Sequence, residues 1–226
     1  MFSDSCGGQN RNSAICAALA HAVAILDLQT IEHKYFEVGH SEMECDSMHS
    51  LITRAAKYQD IYNVDEWRIV MVSARSRGQP YNVIPLRHTD FMDFKCYGEM
   101  RISKRGVDTD NKKANWMQIK AFRYVKDHPN TVQFKSKLSD TSWKAFLLRG
   151  LKSTRTSAGE TLPRKAYDAM LPMSQQKKCD LMSLVSGPIP VIPLQYRPFY
   201  DRIPSRNDVR DAVPAPAMED DWEEEF

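Results

Sequence analysis

Two acidic motifs near the start of the chain carry residue types suited to metal-dependent phosphodiester chemistry. The first motif, at 2–12, reads FSDSCGGQNRN and contains Asp4, and the second, at 33–50, reads HKYFEVGHSEMECDSMHS and contains Asp46. Hard cations such as Mg²⁺ and Mn²⁺ take oxygen ligands, and Mg²⁺ is often held by one or two carboxylates. Such ions can clamp the attacking and leaving oxygens of a phosphodiester. We therefore predict that Asp4 and Asp46 hold Mg²⁺ or Mn²⁺.

Regular elements are predicted between and around these two acids. Residues 14–28 show the pattern of an apolar, alanine-rich helix, 31–38 that of a buried strand, and 42–58 that of a second helix. This order places Asp4 in a turn after a strand end and Asp46 near the start of a helix. The two carboxylates are thus predicted to reach one site from separate elements.

The two motifs resemble the second half of an RNase H-like integrase/transposase core, of the kind found in transposon-derived proteins of animals. The resemblance covers about residues 1–60, and LPMSQQKKCDLMSLV and VIPLQYRPFY match it more loosely. It implies DNA as the substrate, Asp4 as the second of three catalytic acids, and Asp46 as the third, with Glu44 as the alternative. In such a core a β-meander carries the first acid. We expect that hairpin to be missing from an N-terminally truncated copy, which predicts an inactive catalytic centre.

Polar residues beside the two acids are candidates for substrate contacts. Gln9 and Asn10 could hydrogen-bond the DNA backbone or hold the loop that carries Asp4. A turn whose amides cap backbone groups is an equally good interpretation of these two side chains. His40 could orient a water or contact the scissile phosphate.

Net charge is low, but its distribution along the chain is uneven. The chain as a whole carries +2, whereas residues 95–155 hold 15 basic and five acidic residues, and the last eight residues hold six acids and no base. A concentrated positive surface attracts polyanions, of which nucleic acid is the obvious one. Lys112, Lys113 and Lys120 are the candidate phosphate contacts. An alternative function is therefore a non-catalytic nucleic-acid-binding module, and an ordinary solvated face is the competing interpretation.

Cysteine and histidine residues allow a different metal. Cys6, His40, Cys45 and His49 are potential zinc ligands, and zinc favours four nitrogen or sulfur ligands in a tetrahedron. The spacing contains no CxxC pair, so zinc is less favoured than Mg²⁺. A zinc-stabilised interaction module is the remaining alternative.

Composition limits the class of protein and its compartment. The 226 residues are 27% charged, and no stretch approaches the roughly 20 apolar residues of a membrane helix. The start of the chain lacks the pattern of a signal peptide, and five scattered cysteines argue against a disulfide framework. We expect a nuclear or cytoplasmic protein that is not secreted and has no membrane partner, and we leave its oligomeric state open.

The whole pattern predicts an α/β protein with a partial RNase H-like core, a basic β-rich extension and a disordered acidic tail. The core is assigned to 1–60 and the extension to 61–160, with strands at 81–86, 91–97, 116–124 and 131–134. Residues 63–74 fit a strand or a short helix, and so do residues 143–151. A helical and proline-rich segment at 161–197 contains a helix at 174–185. The tail is assigned to 198–226.

Overall fold

The computed structural model describes residues 1–6, 8–37, 43–102, 107–110, 112–149 and 162–210, and these residues form a mixed α/β protein. They contain six α-helices and a mixed five-stranded sheet. The chain is divided into two compact units. Unit 1 comprises Met1–Ser47 and Leu86–Asp168, and unit 2 comprises Met48–Pro85 and Ala169–Phe226. Among the described residues, no helix is both long and apolar enough to span a membrane.

The elements are numbered in chain order. The helices are α1 (Ser13–Ile25), α2 (Glu44–Ala56), α3 (Val64–Ser73), α4 (Phe94–Arg101), α5 (Gln175–Ser186) and α6 (Arg197–Asp201). The strands are β1 (Phe2–Ser3), β2 (Thr30–Tyr35), β3 (Ala121–Val125), β4 (Thr131–Lys135), β5 (Lys144–Leu147), β6 (Met173–Ser174) and β7 (Ser205–Arg206).

The sheet of unit 1 follows the order β1-β2-β3-β4-β5. Strand β1 pairs in parallel with β2, and the remaining neighbours pair antiparallel. Successive side chains of a strand point to opposite faces of the sheet. Accordingly, Phe122 and Tyr124 of β3 and Val132 and Phe134 of β4 are buried on one face, together with buried residues of α1. The core of unit 1 therefore lies between α1 and one face of the sheet.

Helix α1 is rich in small residues, which allows close packing, and its first turn is capped. The side chain of Asn12 accepts a hydrogen bond from the amide of Ile15 (3.0 Å), which satisfies a free donor of the first turn. Helix α4 approaches α1 at Gly98, where a Cβ atom would lie only 2.7 Å from the carbonyl oxygen of Ser13. This crossing therefore requires a glycine.

Unit 2 has a smaller core around α5 and α6. Val185, Ile192 and Tyr200 are buried there. The ammonium group of Lys178 donates to the carbonyl oxygens of Tyr200, Asp201 (3.1 Å) and Ile203 (2.8 Å). These bonds satisfy carbonyls at the end of α6, and the short strands β6 and β7 pair in parallel beside them.

Most of the predicted elements are confirmed with small shifts in their ends. The helices expected at 14–28, 42–58 and 174–185 are α1, α2 and α5, and the strands expected at 31–38 and 131–134 are β2 and β4. Residues 63–74 form a helix, and the pattern at 143–151 contains a strand. The strand predicted from 116 begins only at 121, because residues 116–118 form a turn of 3₁₀-helix.

Two strands predicted in the basic extension are wrong. Residues 91–97 enter helix α4, which starts where the side chain of Asp93 accepts a hydrogen bond from the amide of Cys96 (2.9 Å). Residues 81–86 form neither helix nor strand. Pro80 precedes this segment and Pro85 lies within it, and proline cannot donate to a strand ladder.

The predicted disordered tail is also wrong in its first part. Residues 197–201 form α6 and 205–206 form β7. Pro198 occupies the first turn of α6, where its missing N–H costs nothing, and Tyr200 is buried. The acidic run itself, at 219–225, lies outside the described residues.

Candidate functional site

Asp4 directly follows β1 at the carboxyl end of a parallel strand pair. Its Oδ1 atom accepts hydrogen bonds from the amide of Cys6 (3.2 Å) and from the side-chain amide of Asn10. The carbonyl of Asn10 in turn accepts from the hydroxyl of Tyr35 at the end of β2 (3.1 Å). Among the described residues, no group donates to Oδ2 of Asp4. Hydrogen bonds to Oδ1 thus orient the half-buried carboxylate, and its Oδ2 atom is the candidate ligand atom.

Buried polar groups lie under the Asp4 loop. The Oγ atom of Ser3 lies 2.7 Å from Nε2 of His33, and it also donates to the carbonyl of Asp4 (3.1 Å). Burial, followed by the positive charges of the chain's amino terminus and Arg11, lowers the pKa of His33 to about 4. The imidazole is therefore neutral at physiological pH and serves as a hydrogen-bonding support.

Arg11 links the loop that carries Asp4 to neighbouring segments of the sheet. Its Nη1 donates to the carbonyl of Met117 (2.7 Å), and its guanidinium carbon lies 4.5 Å from the ring centroid of Tyr35. Burial raises the pKa of Tyr35, so the phenol stays neutral. The motif at 2–12 thus positions Asp4 through contacts with β2 and with the segment before β3.

Asp46 lies in the first turn of α2, as the sequence predicted. Its Oδ2 atom accepts a hydrogen bond from the amide of Met43 (2.7 Å), which closes the start of the helix. Acidic groups in a first turn also interact favourably with the helix dipole. Glu44, the alternative acid, is exposed in the same turn. The Oδ1 atom of Asp46 takes no part in this cap and lies 3.9 Å from the sulfur of Cys45.

The structure brings some of the predicted site residues together and not others. Asn10 contacts Asp4, which favours the interpretation that it holds the loop. The Gln9 side chain is exposed. Within the described ranges, no hydrogen bond or ion pair joins Asp4 to Asp46, and no three His, Cys, Asp or Glu side chains form a group that could hold a metal. His40 lies outside the described residues.

The described members of the zinc set differ in their exposure. Cys6 and His49 are exposed and Cys45 is half-buried. The sequence-based zinc hypothesis includes His40 as well, so it remains a prediction.

The three predicted phosphate-binding lysines fall into two environments. Lys112 and Lys113 are exposed in a turn, where the amide of Lys112 donates to Asp108 (2.8 Å) and is the main cause of the lowered pKa of that carboxyl. Lys120 is half-buried and forms an ion pair with Glu37 (2.7 Å). Its charge is largely neutralised, so Lys112 and Lys113 are the better phosphate contacts.

Sequence patterns did not reveal the outer face of the sheet, which we define as the face opposite α1. The aromatic residues Trp116, Phe122 and Tyr124, in or near β3, pack in the core on the inner face. Arg123, between two of them, points to the outer face, where its guanidinium carbon lies 4.0 Å from the ring centroid of Trp143. The strict alternation of β3 predicts this orientation, but the partner on another strand is not visible in the sequence.

Comparison of the chain with protein-family models, with curated proteins and with solved structures finds no match. The function of the protein must therefore be inferred from its own residues.

Proposed function

We propose that this protein binds DNA and descends from RNase H-like transposases, with Asp4 and Asp46 as the remnant of a Mg²⁺- or Mn²⁺-dependent phosphodiester site. The observation that carries the proposal is the placement of Asp4. It follows the first strand of a β1-α1-β2 unit whose two strands run parallel. In open α/β sheets, ligands bind outside the carboxyl ends of such strands.

Both acids belong to segments that leave the sheet at this edge. Ser3 is paired with Tyr35, so β1 and β2 end side by side. Asp4 follows the first end, and the chain from the second end leads to Asp46 in the first turn of α2. Residues of this order and type support a shared oxygen-ligand site in unit 1.

The available donor atoms suit a hard divalent cation. Asp4 offers the carboxylate oxygen that receives no hydrogen bond from a described residue, and Asp46 offers the oxygen that does not cap α2. Carboxylate oxygens are the ligands that Mg²⁺ prefers. When bound, such a metal supplies charge neutralisation for a phosphate group. Asn10 fixes the orientation of Asp4, and the neutral His33 supports the loop from below.

We expect no efficient strand cleavage from this chain. The resemblance involves three acids, and the sequence offers matches for the second and the third. Losing one electrostatic element of a catalytic site costs on the order of 10²–10³ in rate. Cutting of a DNA duplex in Mg²⁺ by the purified chain, abolished by Asp46→Ala, would contradict this part of the proposal.

Metal binding can be tested without nucleic acid. We would titrate Mn²⁺ into the protein and follow the free ion by electron paramagnetic resonance. Asp4→Asn keeps the volume of the side chain and removes its charge, so Mn²⁺ affinity should fall about tenfold or more. Asp127→Asn is the matched control, because Asp127 is exposed in the turn between β3 and β4. Equal affinities for wild type and Asp4→Asn would refute the metal site.

DNA binding itself is tested by salt dependence and charge reversal. Binding through several phosphates weakens steeply as salt is raised. Lys112→Glu and Lys113→Glu should each reduce affinity for DNA, whereas Lys120→Glu should have a smaller effect because Lys120 already pairs with Glu37. If the affinity for DNA changed neither with salt nor with Lys112→Glu and Lys113→Glu, a phosphate-binding surface at these two lysines would be refuted.

A further inference from the structure

A single row of side chains crosses strands β1 to β4 on the outer face of the sheet and continues to the residue that precedes β5. Phe2 is paired with Lys34, Lys34 with Ala121, and Ala121 with Lys135. Trp143 immediately precedes β5, whose register pairs Lys144 with Phe134, and so Trp143 lies beside Lys135. We call these five residues the cross-strand row.

The row has an aromatic ring next to a lysine at each end. At one end, the ammonium of Lys34 lies 5.9 Å from the ring centroid of Phe2. At the other, the ammonium of Lys135 lies 4.8 Å from the ring centroid of Trp143. Cations at these distances are attracted by the ring faces. The two ends thus present the same pair of chemical groups.

Neighbouring residues hold the two ends in place. The rings of Phe2 and Phe36 are stacked at 5.5 Å with an interplanar angle of 24°. Arg123 packs against Trp143 and donates twice to one carboxylate oxygen of Glu32 (2.9 and 2.6 Å). Groups fixed in this way lose less side-chain entropy when a ligand binds.

The outer face is positively charged, and four of the five residues of the row are at least partly exposed, whereas Ala121 at its centre is buried. Phe2 is 58% exposed, and the side chains of Lys34 and Arg123 are 39% and 32% exposed. Three basic residues lie on this face, Lys34, Arg123 and Lys135. Among the paired outer-face positions of β2, β3 and β4 the one acid is Glu32, which forms ion pairs with both Lys34 (3.4 Å) and Arg123 (2.6 Å), so the face keeps a net positive charge. The helix that packs on the sheet within the described residues, α1, lies on the other face.

We propose that the cross-strand row binds single-stranded DNA. Neighbouring strands lie about 4.8 Å apart, so the row spans roughly 19 Å, enough for a few nucleotides. Aromatic rings stack on exposed bases and lysines contact the phosphates between them, which is the general mode of single-strand recognition. Bases inside a duplex are already stacked on each other and do not offer their faces to Phe2 and Trp143.

This inference refines the DNA binding of the proposed function, on which it rests, by assigning a surface and a strand state. The phosphate contacts are Lys34, which lies outside the basic stretch 95–155, and Lys135, which lies within it. The row is also distinct from Asp4, because it requires no metal. The two proposals can therefore fail separately.

The test is binding of a fluorescent oligothymidylate of about 12 nucleotides, at about 50 mM salt and without divalent metal. The double variant Lys34→Gln/Lys135→Gln should bind about tenfold more weakly, and the slope of log K against log salt should flatten by about 1.4. The control double variant Lys57→Gln/Lys177→Gln changes two exposed lysines outside the basic stretch 95–155. Its affinity should stay within about twofold of wild type.

A second arm tests stacking. Trp143→Ala should weaken binding about tenfold, and Trp143→Phe should restore most of the affinity because it retains an aromatic ring. Quenching of tryptophan fluorescence by the oligonucleotide should be largely lost in Trp143→Phe. Thermal melting of each variant establishes that it is folded.

Four outcomes would overturn the proposal. These are wild-type affinity in the folded lysine double variant, equal affinity for a duplex of the same length, affinity for the matching RNA more than about tenfold tighter, and no binding of the oligonucleotide at all. The last result would leave the Mn²⁺ titration of Asp4→Asn as an independent test of the metal site.

Discussion

The two units of this chain reach stability by different means. In unit 1, a sheet of five strands covers a continuous aromatic and aliphatic core that includes Phe122, Tyr124 and Phe134. In unit 2, three buried residues form a small cluster, and polar bonds from Tyr200 and Lys178 to carbonyl groups join its segments. We therefore expect the loss of one polar bond to affect the stability of unit 2 more than that of unit 1.

The two units also differ in how well sequence patterns predict their buried residues. Unit 1 buries alternating residues of strands, a period that is visible in the sequence. Unit 2 buries Ile192 and Tyr200 within proline-rich segments that have no regular period. Four substitutions or conditions test this contrast, ordered from the largest expected effect to the smallest.

Truncation of the unit 1 core should have the largest effect. Phe122 is 1% exposed and its ring lies near those of Trp116, Tyr124 and Phe146. Phe122→Ala should lower the free energy of unfolding by about 3–5 kcal/mol, because it removes apolar contacts and leaves a cavity. Urea denaturation measures this change. Leu147→Ala, at a 75% exposed position, is the control and should be close to neutral.

Acidification should destabilise unit 1 through His33. Its pKa is lowered from 6.5 to about 4 in the folded chain, so the unfolded chain binds the proton more tightly. Stability from the neutral imidazole is complete above pH 6.5 and is lost as pH falls toward 4, by roughly 2–3 kcal/mol. His33→Gln does not titrate, and its stability should depend less on pH in this interval. Identical pH profiles for wild type and variant would exclude His33 as the cause.

A methyl group at the crossing of α1 and α4 should have an intermediate effect. In Gly98→Ala the new Cβ would meet the Ser13 carbonyl at 2.7 Å, and both helices must shift. We expect a loss of about 1–3 kcal/mol in urea denaturation. Gly8→Ala is the matched control, since a Cβ there meets no atom within 4 Å. A stability for Gly98→Ala equal to that of the control would show that the crossing is not tight.

Removal of one hydroxyl should have a small effect that is specific to unit 2. The hydroxyl of Tyr200 donates to the carbonyl of Tyr62 (2.5 Å). Tyr200→Phe should cost about 0.5–1.5 kcal/mol and should raise amide hydrogen exchange in α5 more than in β3. Tyr58→Phe, at an 87% exposed tyrosine, should change neither quantity. Equal exchange in both elements would mean that the bond does not stabilise unit 2 selectively.

Local patterns accounted for much of the fold and for part of the candidate site. The cap at Asn12, the alanine-rich α1 and the alternation of β4 follow rules that operate within a few residues. The alternation at 91–97 favours a strand, but the side chain of Asp93 accepts a hydrogen bond from the amide of Cys96 and so starts a helix at 94. The order in 198–206 was missed because it depends on Lys178, about 20 residues earlier, and on a buried tyrosine.

Sequence by itself determined the placement of Asp4 after a strand and of Asp46 at a helix start, together with the concentration of basic residues at 95–155. These are properties of residue type and of short-range periodicity. The tertiary structure alone decided that Phe2, Lys34, Ala121, Lys135 and Trp143 share one row. Strand register brings them together across separations of more than 100 residues, and it is set by backbone hydrogen bonds and by burial of the opposite face.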